Sequence, residues 1–271
     1  MNCLAVCKIL YSFVFFLYIV MMKVIINPKY NHLEESIRQI PDLFEGQGRV
    51  LYARRNLIKE MVLEDSLLIN VKRYGIPGLI NRIAYSFFRK PKGERAFVYP
   101  QILLQKGFET PEPIAYIEFR KSGLIEYSYF VSMQCPYQRN FYEFGNADPT
   151  SDECADVIQA FACYTASLHE NGILHRDYSP GNILFDKVGD SYHFSLVDLN
   201  RMTFGEVSVE AGCANFARLW GQKQFFVQLA KAYAAARHWD EAYCVERVLF
   251  YRKVFWSRYQ KRHELKFHLE L

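Results

Sequence analysis

Apolar and polar residues alternate along this chain in two rhythms, and the rhythm changes near residue 135. Between Gly48 and Gln134 the period is mostly close to two. Residues 49–54, 58–64, 66–72, 113–119 and 127–134 each read as a strand, with Arg55-Asn56, Glu64-Asp65 and Lys121-Ser122-Gly123 as turns. A short strand over 23–28 and a short helix over 31–40, ending before Pro41, precede this block. Inside the block, Leu79, Ile80, Ile83, Ala84, Phe87 and Phe88 recur at helical spacing and predict a helix over 78–90. A second helix over roughly 92–106 stops at Gly107. Pro100 should kink it, because proline lacks an N–H and crowds the preceding turn.

Beyond Cys135-Pro136 the pattern becomes mainly helical. The helix expected over 152–170 carries Asp152 and Glu153 in its first turn and ends at Asn171-Gly172. Its apolar positions are Val157, Phe161, Tyr164 and Leu168. A strand pair over 182–186 and 193–198 flanks a Gly189-Asp190 turn, and everything past about 212 reads as helix. These elements predict an α+β, bilobal chain: an apolar N-terminal segment 1–22, a small strand-rich lobe 23–134 and a larger helical lobe 135–271.

Composition adds a packed interior. With 51% hydrophobic and 23% charged residues, 19 Tyr and 22 Phe, the chain has ample material for a core. A formal charge of +4 permits an anionic ligand and does not call for nucleic acid. The seven cysteines are scattered and form no CxxC pair, which argues against a structural zinc site and for reduced thiols in a cytoplasmic protein. Residues 9–22 form an apolar run of about 14, short of the roughly 20 that a spanning helix needs. It reads as a signal anchor, or as upstream sequence ahead of a true start at Met21 or Met22; no small-residue cleavage site follows it.

The residues that carry chemistry lie between the 152–170 helix and the 193–198 strand. The loop His175-Arg176-Asp177-Tyr178-Ser179-Pro180-Gly181-Asn182 is followed by a hairpin and then by Asp198-Leu199-Asn200 at the end of an apolar strand. Phosphoryl transfer needs charge neutralised and groups aligned more than it needs covalent help. A carboxylate at Asp177 can accept the proton of an attacking hydroxyl. The amide oxygen of Asn182 and the carboxylate of Asp198 supply hard oxygens suited to Mg²⁺. Upstream, Lys72 ends an apolar strand and can hold the α- and β-phosphates of ATP, with Glu94, at the start of the next helix, as its carboxylate partner. No GxGxxG joins the first two strands of the block; Arg54-Arg55-Asn56 stands there, able to add charge beside phosphate.

These motifs resemble those of the protein-kinase-like superfamily, and within it the bacterial lipopolysaccharide kinase family, which phosphorylates Kdo or heptose of the inner core. The stretch HRDYSPGNIL from His175 to Leu184 looks like that family's catalytic loop, and VDLNRM from Val197 to Met202 like its metal-binding segment. The resemblance implies a kinase-like fold over roughly 23–255, ATP and Mg²⁺ as cofactors, Asp177 as catalytic base, Asn182 and Asp198 as metal ligands, and Lys72 on the phosphates. It also implies a glycolipid or sugar acceptor and a cytoplasmic enzyme at the inner membrane. Departures from protein kinases point the same way. Ser179 replaces the lysine two residues after the base, Asn200 replaces the glycine of DFG, and no Ala-Pro-Glu follows. That leaves little room for a peptide platform. A protein kinase and a pseudokinase-like nucleotide-binding module are the competing readings. The basic stretch 247–268 reads either as a helix lying on an anionic membrane or as one packed on the larger lobe.

Overall fold

The computed structural model describes residues 20–270, so the readings of residues 1–19 lie outside the described part. The described residues form two compact units. One is strand-rich and comprises the chain up to Ile102 with Pro111–Gln134; the other is helical and comprises Leu103–Thr110 with the chain from Cys135 onward.

The strand-rich unit is built on one antiparallel sheet of β1 (Val20–Ile26), β2 (Arg49–Ala53), β3 (Asn56–Val62), β4 (Leu68–Tyr74), β5 (Pro113–Lys121) and β6 (Leu124–Met133), in the order β1-β5-β6-β4-β3-β2. The β5–β6 hairpin closes through Ser122 (φ 52°) and Gly123 (φ 77°), the paired positive angles that fit a two-residue turn to strand twist. Strand β1 begins at Val20, earlier than the periodicity predicts, because Val20 pairs with Lys121 beside that hairpin.

Helix α1 (Glu34–Gly46) corrects the expectation that Pro41 ends it. A proline in a helix interior costs about 3 kcal/mol. Here Ile37, Ile40 and Phe44 are fully buried against Ile69, Val71, Ile114 and Val131, and such side chains contribute about 1.5–3 kcal/mol each. The end of α1 is closed from the sheet: the buried Lys59 ammonium donates to the carbonyls of Phe44, Gln47 (2.9 Å) and Glu45 (3.3 Å). Helices α2 (Leu79–Phe87) and α3 (Lys92–Gln105) follow β4. At the end of α3, Phe108 N–H reaches back to Leu103 O (3.0 Å) through Gly107 at φ 81°, a left-handed closure that glycine adopts without strain.

The helical unit contains β7 (Arg139–Asn140), α4 (Asp152–Glu170), β8 (Ile173–His175), β9 (Ile183–Val188), β10 (Ser191–Leu196), β11 (Met202–Phe204), α5 (Val209–Asn215), α6 (Lys223–Arg237) and α7 (Glu241–Tyr259). Strands β10, β9 and β7 form one small sheet and β11 with β8 another. Strands β7, β8 and β11 span two or three residues each, too few for alternation to reveal. The core is aromatic. Phe161 of α4 lies 4.2 Å from Phe141, 5.5 Å from Phe194 and 5.6 Å from Tyr178, centroid to centroid.

The C-terminal basic stretch differs from a continuous helix over 247–268. Helix α7 stops at Tyr259 and residues 260–270 are not helical. Two of its arginines also turn inward, while Lys253 and Arg258 stay exposed. Arg252 is 2% exposed, donates to Gly221 O (2.7 Å) and to Glu270 O, and covers the Phe226 ring. Arg247 binds Glu210 at 2.9 Å. Helix α7 thus packs on the helical unit through Val248, Arg252 and Trp256.

Candidate active site

The sequence around Asp177 folds as a loop because its polar groups are tied down within it. The fully buried His175 accepts at Nδ1 from the Asp177 N–H (3.1 Å) and donates from Nε2 to Val197 O (3.0 Å). Burial pushes the His175 pKa down, so the ring is neutral and holds this one tautomer. Its two bonds join the loop to the segment preceding Asp198.

Asn182 makes the second tie. Its side-chain amide donates to Asp177 O (2.8 Å) and its backbone carbonyl accepts from Val197 N–H (3.0 Å). Because Nδ2 is committed inward, Oδ1 is left as the outward donor atom. The residues before Asp198 and the loop of Asp177 and Asn182 are thus stitched together by backbone. Asp198 itself takes a left-handed conformation (φ 58°, ψ 47°), which costs a non-glycine residue on the order of 1–2 kcal/mol and is the kind of strain that functional sites retain. The Asn200 amide donates to Asp198 Oδ1, so the residue that replaces a glycine orients the carboxylate.

Two arginines that the sequence reading did not single out meet Asp177. Arg218 Nη1 lies 2.9 Å from Oδ1 and Arg201 Nη1 3.4 Å from Oδ2. Arg201 adjoins the Asp198-Leu199-Asn200 motif and could have been suspected. Arg218 follows α5 at a distance that no local pattern reveals.

Behind the loop runs a buried relay, also missed. Arg237 Nη1 donates to Tyr233 Oη (3.1 Å), which meets His169 Nδ1 (2.7 Å); His169 Nε2 meets Asn215 Oδ1 (3.0 Å), and Asn215 Nδ2 donates to His175 O (2.9 Å). Burial pushes the His169 pKa down to about 4. Gly212 makes room for the relay, since a Cβ there would collide with the Tyr233 hydroxyl. Tyr178, fully buried within the loop, bonds Thr165 of α4 at 2.9 Å and stacks on Phe161.

The other two predicted residues lie in the strand-rich unit. Lys72 sits on β4 with its ammonium 5.2 Å over the Tyr74 ring. Glu94 opens α3, and its carboxylate lies 3.9 Å from Lys23 and 3.7 Å from Lys90. The β2–β3 turn lacks glycine, as its sequence requires. Arg55 and Asn56 of that turn border a cavity of about 150 Å³ with Gly75, Asn81, Tyr85 and Lys92.

Comparison with known proteins agrees with this geometry. Residues 138–243, which contain the whole loop from His175 to Asp198, match the model of the phosphotransferase enzyme family APH. The fold is protein-kinase-like, and the chain is a phosphotransferase of that fold. Among solved structures it is similar to WaaP in complex with acyl carrier protein, with a TM-score of 0.57 and 14% identity over 89% of this chain and 100% of that one. It is also similar to the amicoumacin kinase hAmiN in complex with AMP-PNP, Ca²⁺ and Ami, with a TM-score of 0.53 and 11% identity over 97% of this chain and 88% of that one. No curated protein matches it by sequence.

Proposed function

We propose that this protein transfers the γ-phosphoryl group of ATP to a sugar hydroxyl of the lipopolysaccharide inner core, on Kdo or heptose. The observation that carries the transfer chemistry is the stitching of Asp177, Asn182 and Asp198 into one hydrogen-bonded loop pair. Asp177 accepts the proton of the acceptor hydroxyl as that oxygen attacks phosphorus. Arg218 and Arg201 hold the carboxylate in place before the acceptor arrives. Asn182 Oδ1 and the Asp198 carboxylate fit Mg²⁺, which binds through few protein oxygens and completes its shell from phosphates and water. When bound, that ion supplies neutralisation of the phosphate charge. Lys72 holds the α- and β-phosphates, and Glu94, flanked by Lys23 and Lys90, is its carboxylate counterpart on α3.

The acceptor is argued from the loop itself. Ser179 stands where protein kinases carry a lysine, and α5 begins at Val209, soon after Asp198, which leaves no length for a peptide-binding segment. The likeness of HRDYSPGNIL and VDLNRM to the lipopolysaccharide kinase family supports the same acceptor, and a cytoplasmic enzyme working at the inner membrane is part of the proposal. The test is incubation with γ-labelled ATP and a panel of core oligosaccharides, free sugars and proteins. Label in core oligosaccharide, dependent on Mg²⁺, is the expected result; label confined to proteins overturns the acceptor.

A further inference from the structure

Helix α2 is mounted inside out. Arg82 and Ser86 face the sheet: Arg82 Nε donates to Ile125 O (2.9 Å), Arg82 Nη2 meets Glu126 (3.2 Å), and Ser86 accepts from Ile125 N–H (2.9 Å) while its carbonyl takes Arg120 Nη1 (3.2 Å). Leu79, Ile80, Ile83 and Phe87 fall within one arc of about 100° turned away from these contacts, and Phe88 follows at the helix end. They are exposed at 65%, 84%, 42%, 65% and 80%, and no residue of the helix is buried. A helix docked by hydrogen bonds with its apolar face turned out makes physical sense only if something apolar covers that face.

We infer that the outward face of α2 is a membrane-docking surface that seats in an anionic lipid leaflet. Charge selects the occupant. The nearby acidic groups are each held by a cation: Glu126 by Arg82, Glu118 by Arg120, and Glu94 by Lys23 and Lys90. Exposed Arg89 continues directly from the apolar face, and exposed Lys121 lies on the adjoining hairpin. An apolar stripe bordered by basic residues is the pattern of a helix lying in a bilayer interface. Nine residues span about 13 Å, too short to cross a hydrocarbon core, so the helix lies in the plane.

Chain connectivity points to the same surface. Val20 pairs with Lys121 at the tip of the β5–β6 hairpin, and Arg120 and Ile125 of that hairpin are the residues that hold Ser86 of α2. The sequence preceding Val20 is the apolar run from Leu4 to Ile19, interrupted by Lys8. That run therefore leads into β1, which pairs with the hairpin that holds Ser86 of α2. The inference does not depend on which acceptor is phosphorylated.

The experiment is co-sedimentation of the full chain with phosphatidylglycerol-containing vesicles and with pure phosphatidylcholine vesicles. Binding to the anionic vesicles, weakened by salt, is expected. The double variant Ile80→Glu/Phe87→Glu should bind them about a hundredfold more weakly, with unchanged circular dichroism and thermal melting, since both side chains are exposed. In Phe87→Trp the emission should move to shorter wavelength on adding vesicles. Unchanged binding of the double variant overturns the proposal, because the apolar run alone would then hold the chain. So does a dimer that the double variant disperses without any vesicle binding, which assigns the face to a second copy.

Discussion

Helices α2 and α4 both carry apolar residues at helical spacing and have opposite fates. In α4, Val157, Phe161 and Leu168 are fully buried, and Phe161 stacks on Tyr178 of the candidate catalytic loop. Ile80 of α2 and Phe88 just past its end are among the most exposed apolar side chains of the described residues, and polar Arg82 and Ser86 make the contacts. Periodicity says which residues share a face. It does not say what that face meets. The difference separates a helix that supports chemistry from one that presents a surface.

Substitutions can break or sharpen this contrast. The largest effect belongs to the loop that α4 supports. Asp177→Ala should lower kcat for phosphoryl transfer by about 10³-fold or more while leaving the urea midpoint nearly unchanged. A variant that keeps its turnover removes Asp177 from the role of base. Next comes Phe161→Ala, expected to cost about 3–5 kcal/mol in urea unfolding because its cavity opens among four aromatic rings. A cost below 1 kcal/mol would remove α4 as the support of the loop.

His169, on the inner face of α4, predicts a pH dependence. Its folded pKa lies near 4, below the ordinary 6.5, so between those values the unfolded chain binds a proton that the folded chain refuses. Stability from this group is complete above about pH 6.5 and declines as pH falls toward 4, by up to about 3 kcal/mol. Chemical denaturation at pH 7 and 4.5 measures it, with His169→Gln as the variant that flattens the difference. The smallest effect is on α2: Ile80→Ser should change stability by no more than about 0.5 kcal/mol. If it costs as much as Phe161→Ala, the face of α2 is not solvent-facing and the contrast fails.

Much of the fold is legible in the chain because its signals are local. Asp152, Glu153 and Asn171-Gly172 bound α4 at the residues where it begins and ends. Ser122-Gly123 and Gly189 close the two hairpins that alternation predicts. Pro41 misled because a local breaking signal was outweighed by burial of Ile37, Ile40 and Phe44, which depends on strands far away in sequence. The active-site residues divide in the same way. Asp177, Asn182 and Asp198 stand out as a motif because they lie on one loop and at the end of the strand beside it. Arg218, Asn215 and Tyr233 join that loop only through folding, at sequence separations that no spacing rule covers.

By itself, the sequence determined the class of element at most positions and singled out Asp177, Asn182 and Asp198, which the fold brings into one hydrogen-bonded loop pair. It could do so because helix caps, turns and metal-ligand spacing are settled within a few residues. Only the tertiary structure decided that Arg252 turns inward, that two arginines converge on Asp177, and that α2 faces outward. Each of those outcomes depends on which distant surface a side chain meets, and that follows from the packing of the folded chain.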